Sequence, residues 1–233
     1  MGANTFERKE IKYIITREQY RALLRALEGR MQPDEFGVTR ICNIYFDTPD
    51  FRLIRESIEK PMYKEKLRLR TYGVPDENSR AFIELKKKFD KVVYKRRVTM
   101  RYIDAMRFLV NREKLANPTQ IEKEIEWVLN FYKGLAPAMV LCYDRQAYFG
   151  VEDPTLRMTF DTNINFRTKD FNLMCGSYGE TLMDDSTYIL ELKINYAMPL
   201  WLSAIMDRLK IYPGSYTKYG NAYKKLISSG GIL

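Results

Sequence analysis

Five strand-like segments of this chain carry charges at positions i and i+2: Glu10 and Lys12, Arg68 and Arg70, Glu84 and Lys86, Lys95 and Arg97, Glu191 and Lys193. In a β-strand these positions point to the same face. Each of five strands must therefore push a charge pair through one side of a sheet. An open sheet with one solvated face does this trivially. A closed barrel with those faces turned inward would have a lumen rich in Lys and Arg with a few Glu, which suits a polyphosphate together with a divalent metal.

The individual segments differ in how much they demand. Tyr63–Tyr72 alternates, with Lys64, Lys66, Arg68 and Arg70 on one face and Glu65, Leu67, Leu69 and Thr71 on the other. Taken alone, an exposed basic strand face explains it. Glu84, Lys86 and Lys88 share a face of the next segment. In the one after, Lys95 and Arg97 share a face and Arg96 takes the other. Glu191 and Lys193 interrupt a strongly apolar run, Tyr188–Ile194, where an inward charge is costly unless paired or bound to something. A structural ion pair is the ordinary explanation there. Arg145 follows the apolar Val140–Asp144, and Arg157 and Asp161 share a face. Each could be a surface ion pair, but the recurrence on strand after strand is stronger than any single instance.

Strand expectations are Phe6–Ile15, Thr39–Phe46, Met62–Tyr72, Arg80–Lys88, Lys91–Arg101, Ala138–Phe149, Thr155–Asp161 and Thr187–Ile194. Val74–Arg80 suits a hairpin loop, Phe89-Asp90 a tight turn, and Asn111–Thr119 a loop before a helix. Thr16–Gln19 has a capping-box shape, followed by Tyr20, Leu23, Leu24 and Leu27 at helical spacing. Ile121, Ile125, Val128, Leu129 and Tyr132 mark a second helix, and Leu202, Ile205, Met206 and Leu209 a third. Short helices are expected at Pro49–Glu59, Asp104–Asn111 and Lys218–Ile227. The fold class is α+β, an eight-stranded antiparallel β-barrel with flanking helices, in one domain spanning residues 1–233.

Composition narrows the chemistry. The chain has 233 residues, 45% of them hydrophobic, and a net charge of +9. That surplus favours anionic partners without choosing among them. There is no histidine, which removes the commonest general base and nearly all His-based metal sites. Cys42, Cys142 and Cys175 are odd in number and widely spaced, fitting neither a disulfide framework nor a zinc cluster. Reduced thiols, no signal peptide and no long apolar run lead us to expect a cytoplasmic protein. No glycine-rich phosphate loop is present, so side chains must supply positive charge to any phosphate. Arg suits this through its planar fork and Lys through its compact charge. Carboxylates beside them would give Mn²⁺ or Mg²⁺ hard oxygen ligands.

These motifs, in order, resemble the VTC domain, the polyphosphate polymerase domain of the CYTH-like triphosphate tunnel metalloenzyme superfamily. Phe6–Tyr13 resembles its first-strand motif and Asn43–Pro49 its Y-F-D-T element. Lys66–Arg70, Ile83–Lys86, Lys95–Arg97, Tyr143–Arg145, Leu156–Asp161 and Glu191–Lys193 follow. Thr217-Lys218-Tyr219 resembles the closing S-K-Y/F element, with Thr for Ser. The resemblance implies that Lys12, Arg68, Arg70, Lys86, Lys95, Arg97, Arg145, Arg157, Lys193 and Lys218 bind phosphate. Among them, Lys12, Arg68, Arg70, Lys193 and Lys218 are the catalytic candidates. It implies that Glu191, and after it Glu84 and Glu10, hold Mn²⁺ or Mg²⁺. The implied activity moves the γ-phosphoryl group of ATP onto a growing polyphosphate chain and releases ADP.

Two departures qualify the resemblance. The superfamily's hydrolases open with E-x-E-x-K, and here the first of those positions is Arg8, which leans away from them. The chain also has no room for the SPX domain or membrane segments of the eukaryotic assemblies, so regulation and a separate membrane-protein partner stay open. The implied partners are ATP and polyphosphate. The alternatives are a tunnel-type inorganic or nucleoside triphosphatase and a non-catalytic polyanion-binding module. Nucleic acid is not expected, because the aromatic residues read as packing and not as stacking platforms.

Overall fold

The computed structural model describes residues 8–59, 61–90, 92–195 and 197–230. The expected strand starts at Phe6 and Lys91 lie outside these residues, as does the Arg8 side chain. The elements run β1 (Arg8–Thr16), α1 (Arg17–Ala26), β2 (Met31–Asp47), α2 (Arg52–Glu59), β3 (Tyr63–Tyr72), β4 (Arg80–Phe89) and β5 (Val92–Arg101). They continue α3 (Tyr102–Leu109), α4 (Gln120–Phe131), β6 (Ala136–Gly150), β7 (Arg157–Arg167), β8 (Glu180–Met183), β9 (Thr187–Asn195), α5 (Leu200–Arg208), β10 (Pro213–Gly214) and α6 (Lys218–Ser228). All six expected helices form, and the α+β class holds.

Ten strands are described where eight were expected. The additions, β8 and β10, span four and two residues, too short for any periodic pattern to show. The strands hydrogen-bond in the order β10-β1-β9-β7-β6-β2-β3-β4-β5, with β8 beside β7. Among the described residues that path does not close on itself. β2 also begins eight residues earlier than expected, because Gln32-Pro33-Asp34-Glu35 lacks the alternation that marks a strand.

The chain forms two compact units. The first comprises Met1–Thr39, Tyr143–Ile164 and Met183–Thr217; the second comprises Arg40–Cys142, Asn165–Leu182 and Lys218–Leu233. Each has its own apolar core on one side of its strands. In the first, Tyr13, Ile15, Phe160, Leu190 and Leu192 pack with Leu23 of α1 and with Leu202 and Met206 of α5. In the second, Ile44, Phe46, Leu67, Leu69, Ile83 and Leu85 pack against α3 and α4 through Tyr102, Phe108, Ile125 and Val128. Burying each such large side chain contributes about 1.5–3 kcal/mol. Strand alternation then leaves the charged positions on the other side.

Local chemistry sets the helix starts. Thr16 and Gln19 form the expected capping box, with Gln19 N–H on the Thr16 hydroxyl at 3.2 Å and Thr16 N–H on Gln19 Oε1 at 3.0 Å. Thr119 and Glu122 do the same for α4. α2 starts at Arg52, later than expected, after Phe51 turns at φ 55°. Its first N–H groups are taken by two residues of the Y-F-D-T motif. Arg52 N–H donates to the Thr48 hydroxyl at 2.9 Å, Leu53 N–H to Asp47 Oδ1 at 2.8 Å, and Ile54 N–H to Asp47 Oδ2 at 3.0 Å. Asp90 makes the expected turn after β4 at φ 50°.

Candidate phosphate-binding and metal-binding residues

In the second unit the ladders oppose the charges directly. Arg68 faces Glu84, and Glu84 faces Arg97. Lys66 faces Lys86, and Lys86 faces Lys95. Lys64 faces Lys88. Opposed residues share a face, so Lys64, Lys66, Arg68, Arg70, Lys86, Lys88, Lys95 and Arg97 stand on one side of β3–β5 with one carboxylate, Glu84. On β2, Asn43 and Tyr45 lie opposite Arg70 and Arg68. Arg96 points to the other side, as expected, and its Nε donates to Glu124 of α4 at 3.2 Å.

Glu84 organises the arginines. Its Oε2 accepts from Arg68 Nε at 2.6 Å, its Oε1 from Arg97 Nε at 2.9 Å, and Arg70 Nε lies 3.8 Å from Oε2. Arg68 Nη1 also donates to the Tyr45 hydroxyl at 3.1 Å, and Arg70 Nε to Asn43 Oδ1 at 3.0 Å. Asn43 is fixed in turn by donating from Nδ2 to the Leu141 carbonyl at 3.0 Å. The Arg97 guanidinium sits 4.7 Å from the Phe82 ring centroid.

The electrostatics follow from this crowding. Burial pushes the Glu84 carboxyl up, but Arg68, Arg70 and Arg97 outweigh it and hold it at about 2. Burial would likewise raise the Tyr45 phenol, yet Arg68, Lys66 and Arg70 bring it down to about 8. A buried tyrosine made more acidic reports a strongly positive local potential.

Lys218 opens α6 and is placed by its neighbour. The Tyr219 ring stacks on Tyr45 with centroids 4.4 Å apart, and its hydroxyl donates to Asp47 Oδ2 at 2.8 Å. The Y-F-D-T and T-K-Y motifs are therefore one packed unit. Tyr45 and Tyr219 stack, Asp47 caps α2 and accepts from Tyr219, and Lys218 is carried beside them. Burial is the main cause that raises the Asp47 carboxyl, against the hydrogen bonds that lower it.

The first unit carries the other constellation. Lys12 lies opposite Glu191 and Glu10 opposite Lys193 across β1–β9, and Arg157 lies opposite Lys193 across β7–β9. Lys193 Nζ is 2.7 Å from Glu191 Oε1. Lys12 Nζ is 3.8 Å from Glu10 and 3.9 Å from Glu191, and it also donates to the Tyr216 carbonyl at 3.4 Å. Glu191 is 9% exposed. Burial pushes its carboxyl up, but Lys193, Lys12 and Arg145 pull it down to about 2. Arg145 is held by Asp161 in a bidentate pair, Nε to Oδ1 at 2.6 Å and Nη2 to Oδ2 at 2.7 Å. Although its burial works against charge, Tyr143, Asp161 and Glu191 keep it firmly charged. Asp161 shares a face of β7 with Arg157, as expected, and its hydrogen-bonding partner is Arg145. Arg157 itself is exposed.

Of the residues expected from sequence, Arg68, Arg70, Lys86, Lys95, Arg97, Lys218 and Glu84 belong to the second unit. Lys12, Arg145, Arg157, Lys193, Glu10 and Glu191 belong to the first. Asn43, Tyr45, Asp47 and Tyr219 were not singled out, although all four lie in motifs quoted from the sequence. Among the described residues no helix is long and apolar enough to cross a membrane.

Comparison with known proteins bears on identity. No curated protein matches the chain. A candidate adenylate cyclase from Bacillus halodurans superposes with a TM-score of 0.55 at 15% identity, covering 90% of this chain and 95% of its own. A candidate adenylyl cyclase from Hippeastrum, described as having a dominant triphosphatase activity, superposes at 0.51 and 17% identity, covering 96% of each chain. At these identities the likeness is one of fold. The model of the VTC domain matches residues 7–227. The chain belongs to the VTC domain family.

Proposed function

We propose that this chain is a metal-dependent polyphosphate polymerase that transfers the γ-phosphoryl group of ATP to the end of a polyphosphate chain. The observation that carries the reading is the like-charge ladder of the second unit, Lys64 opposite Lys88 and Lys66 opposite Lys86 opposite Lys95. Like charges directly opposite one another destabilise a sheet. Such a row is explained by an anion with many charges.

The residue roles follow from chemistry. Arg68, Arg70 and Arg97, pre-aligned by Glu84, would take phosphate oxygens, and Lys66, Lys86 and Lys95 would extend the positive row. Lys218 would add charge beside Tyr45. In the first unit, Lys12, Lys193, Arg145 and Arg157 would bind phosphate. Glu191 and Glu10 suit Mn²⁺ or Mg²⁺, because both lie within 4 Å of the same ammonium, Lys12, and offer hard oxygen donors. Among the described residues no three acidic or Cys side chains cluster, so phosphate oxygens and water would complete the ion's shell. Glu84 does not suit it, since both its oxygens are engaged by guanidinium groups. The ion, when bound, neutralises charge on the transferring phosphoryl group. The bond between the γ-phosphorus and the β–γ bridging oxygen breaks, a terminal polyphosphate oxygen forms the new bond, and ADP leaves. This asks for positioning and charge neutralisation, which Arg and Lys supply without histidine.

The test is incubation of the purified protein with ATP and Mn²⁺, with the products resolved on a gel stained for polyphosphate and with ADP and free phosphate assayed in parallel. Long chains with matching ADP are expected. Free phosphate without chains would reassign the chain to triphosphate hydrolysis, and neither product would leave a polyanion-binding module.

A further inference from the structure

A second site lies on the other side of β3. Glu65 alternates with Lys64 and Lys66, so it points away from the cationic row and towards the apolar core of the second unit. It is 3% exposed. Its Oε1 accepts from the Tyr132 hydroxyl at 2.7 Å, and the Tyr63 phenol on the same face is pushed up to about 12, first by burial and then by the Glu65 carboxylate beside it, while Glu65 Oε2 is buried and accepts no hydrogen bond. Among the described residues no cation pairs with Glu65; Lys87, opposite it in the ladder, makes no ion pair with it. A buried carboxylate oxygen without a donor costs several kcal/mol, so its retention calls for an explanation.

Glu65 lines a cavity of about 570 Å³, together with Met62, Tyr63, Trp127, Phe131 and Tyr132. Trp127 and Phe131 stack at 4.6 Å on the outer side of α4, and both are 54% exposed. Phe131 meets Tyr132 edge-on at 5.0 Å. The remaining charges at the rim, Arg52 and Glu56, satisfy each other at 2.7 Å. The Arg52 guanidinium already lies 5.4 Å from the Tyr132 ring centroid, so this surface tolerates a cation against its aromatic faces. Aromatic walls with one unsatisfied anionic oxygen therefore define the chemistry of an occupant.

We propose that this cavity binds a primary alkylammonium group, its nitrogen donating to Glu65 Oε2 and its carbon chain lying along Trp127, Phe131 and Met62. An ammonium fits better than a guanidinium, because Tyr132 leaves one carboxylate oxygen and a guanidinium fork seeks two. A quaternary ammonium has no N–H to give. A hydrated metal ion would find one carboxylate and a wall of rings. The site is independent of the polymerase reading, since none of its residues faces the cationic row.

The test is calorimetric titration of the full chain with n-butylammonium chloride and, separately, with Nα-acetyl-lysine methylamide, using tetramethylammonium chloride as control. Saturable one-site binding of a primary amine is expected, weakened at least tenfold in Glu65→Gln. Trp127→Ala, at a half-exposed position that the core does not need, should weaken binding while leaving turnover of ATP unchanged. Tighter binding of the free amine would identify a small-molecule amine as the ligand. Tighter binding of the lysine derivative would identify a lysine side chain of a partner. Absence of saturable binding of either amine, undiminished affinity in Glu65→Gln, or equal affinity for tetramethylammonium would each overturn the proposal.

Discussion

Replacing Glu84 by Gln keeps the side chain's size and removes the charge that holds three guanidinium groups together. The carboxyl falls from its ordinary 4.5 to about 2, which at about 1.4 kcal/mol per pKa unit corresponds to ~3 kcal/mol. The Arg97 side chain is 46% exposed, so solvent screens part of this, leaving about 2 kcal/mol at neutral pH. For a chain of this size the variant should melt about 4–8 °C lower. Because the folded carboxyl is the stronger acid, this stability is complete above pH 4.5 and is lost as pH falls towards 2. The melting gap between the two proteins should therefore close over that window. Tripolyphosphate should raise the melting temperature of Glu84→Gln more than that of the parent, since it brings the missing negative charge to the same arginines. Mn²⁺ binding, measured by calorimetry, should be unchanged. A melting gap that persists undiminished at pH 2, or a loss of Mn²⁺ binding with unaltered melting, would refute the assignment of Glu84 as an organiser of arginines.

Other perturbations separate the remaining roles. Spectrophotometric titration should show one phenol ionising near pH 8 that is absent in Tyr45→Phe and moves upward when tripolyphosphate is added; a parent with no such phenol would mean that the positive potential at Tyr45 is overstated. This depressed phenol adds stability only as pH rises from about 8 to 10. Arg68→Ala combined with Arg70→Ala should lower tripolyphosphate affinity at least tenfold, since hydrogen bonds to charged groups contribute ~1.5–3 kcal/mol; unchanged affinity would place these arginines away from the ligand. Glu191→Gln should abolish metal-dependent turnover with the circular dichroism spectrum intact, and full activity would rule out its role as a ligand. Asp47→Ala removes the α2 cap and strands the Tyr219 hydroxyl, so urea denaturation should report a loss of ~2–4 kcal/mol; a loss within ~0.5 kcal/mol, typical of neutral surface changes, would contradict the capping account.

Much of this molecule is legible in residue order because period-2 alternation is a local property. Leu67, Leu69, Ile83 and Leu85 had to face a core, which put Arg68, Glu84 and Lys86 on the opposite side before any partner strand was known. The capping box at Thr16 and the apolar stripe of α4 are equally local. β8 and β10 were not legible, because segments of four and two residues pair through tertiary proximity and carry no periodic signal. The same limit applied to β2 between Met31 and Val38, where polar residues and Pro33 hide a strand.

Pairing is where sequence ran out. The family resemblance implied Glu84, after Glu191, as a metal ligand. The register put Glu84 between Arg68 and Arg97, so that guanidinium groups occupy its oxygens. Asp161 shares a face of β7 with Arg157, as alternation required, but only the structure showed that its carboxylate holds Arg145 in a two-point contact. Glu65 looked like one more polar residue on a leucine face, and burial made it a carboxylate with an unsatisfied oxygen. The sequence by itself determined which side of each strand a charge occupies, because Cβ direction alternates along any strand. Only the tertiary structure decided which charges pair with one another, because that depends on strand register and on ångström-scale separations between residues remote in the chain.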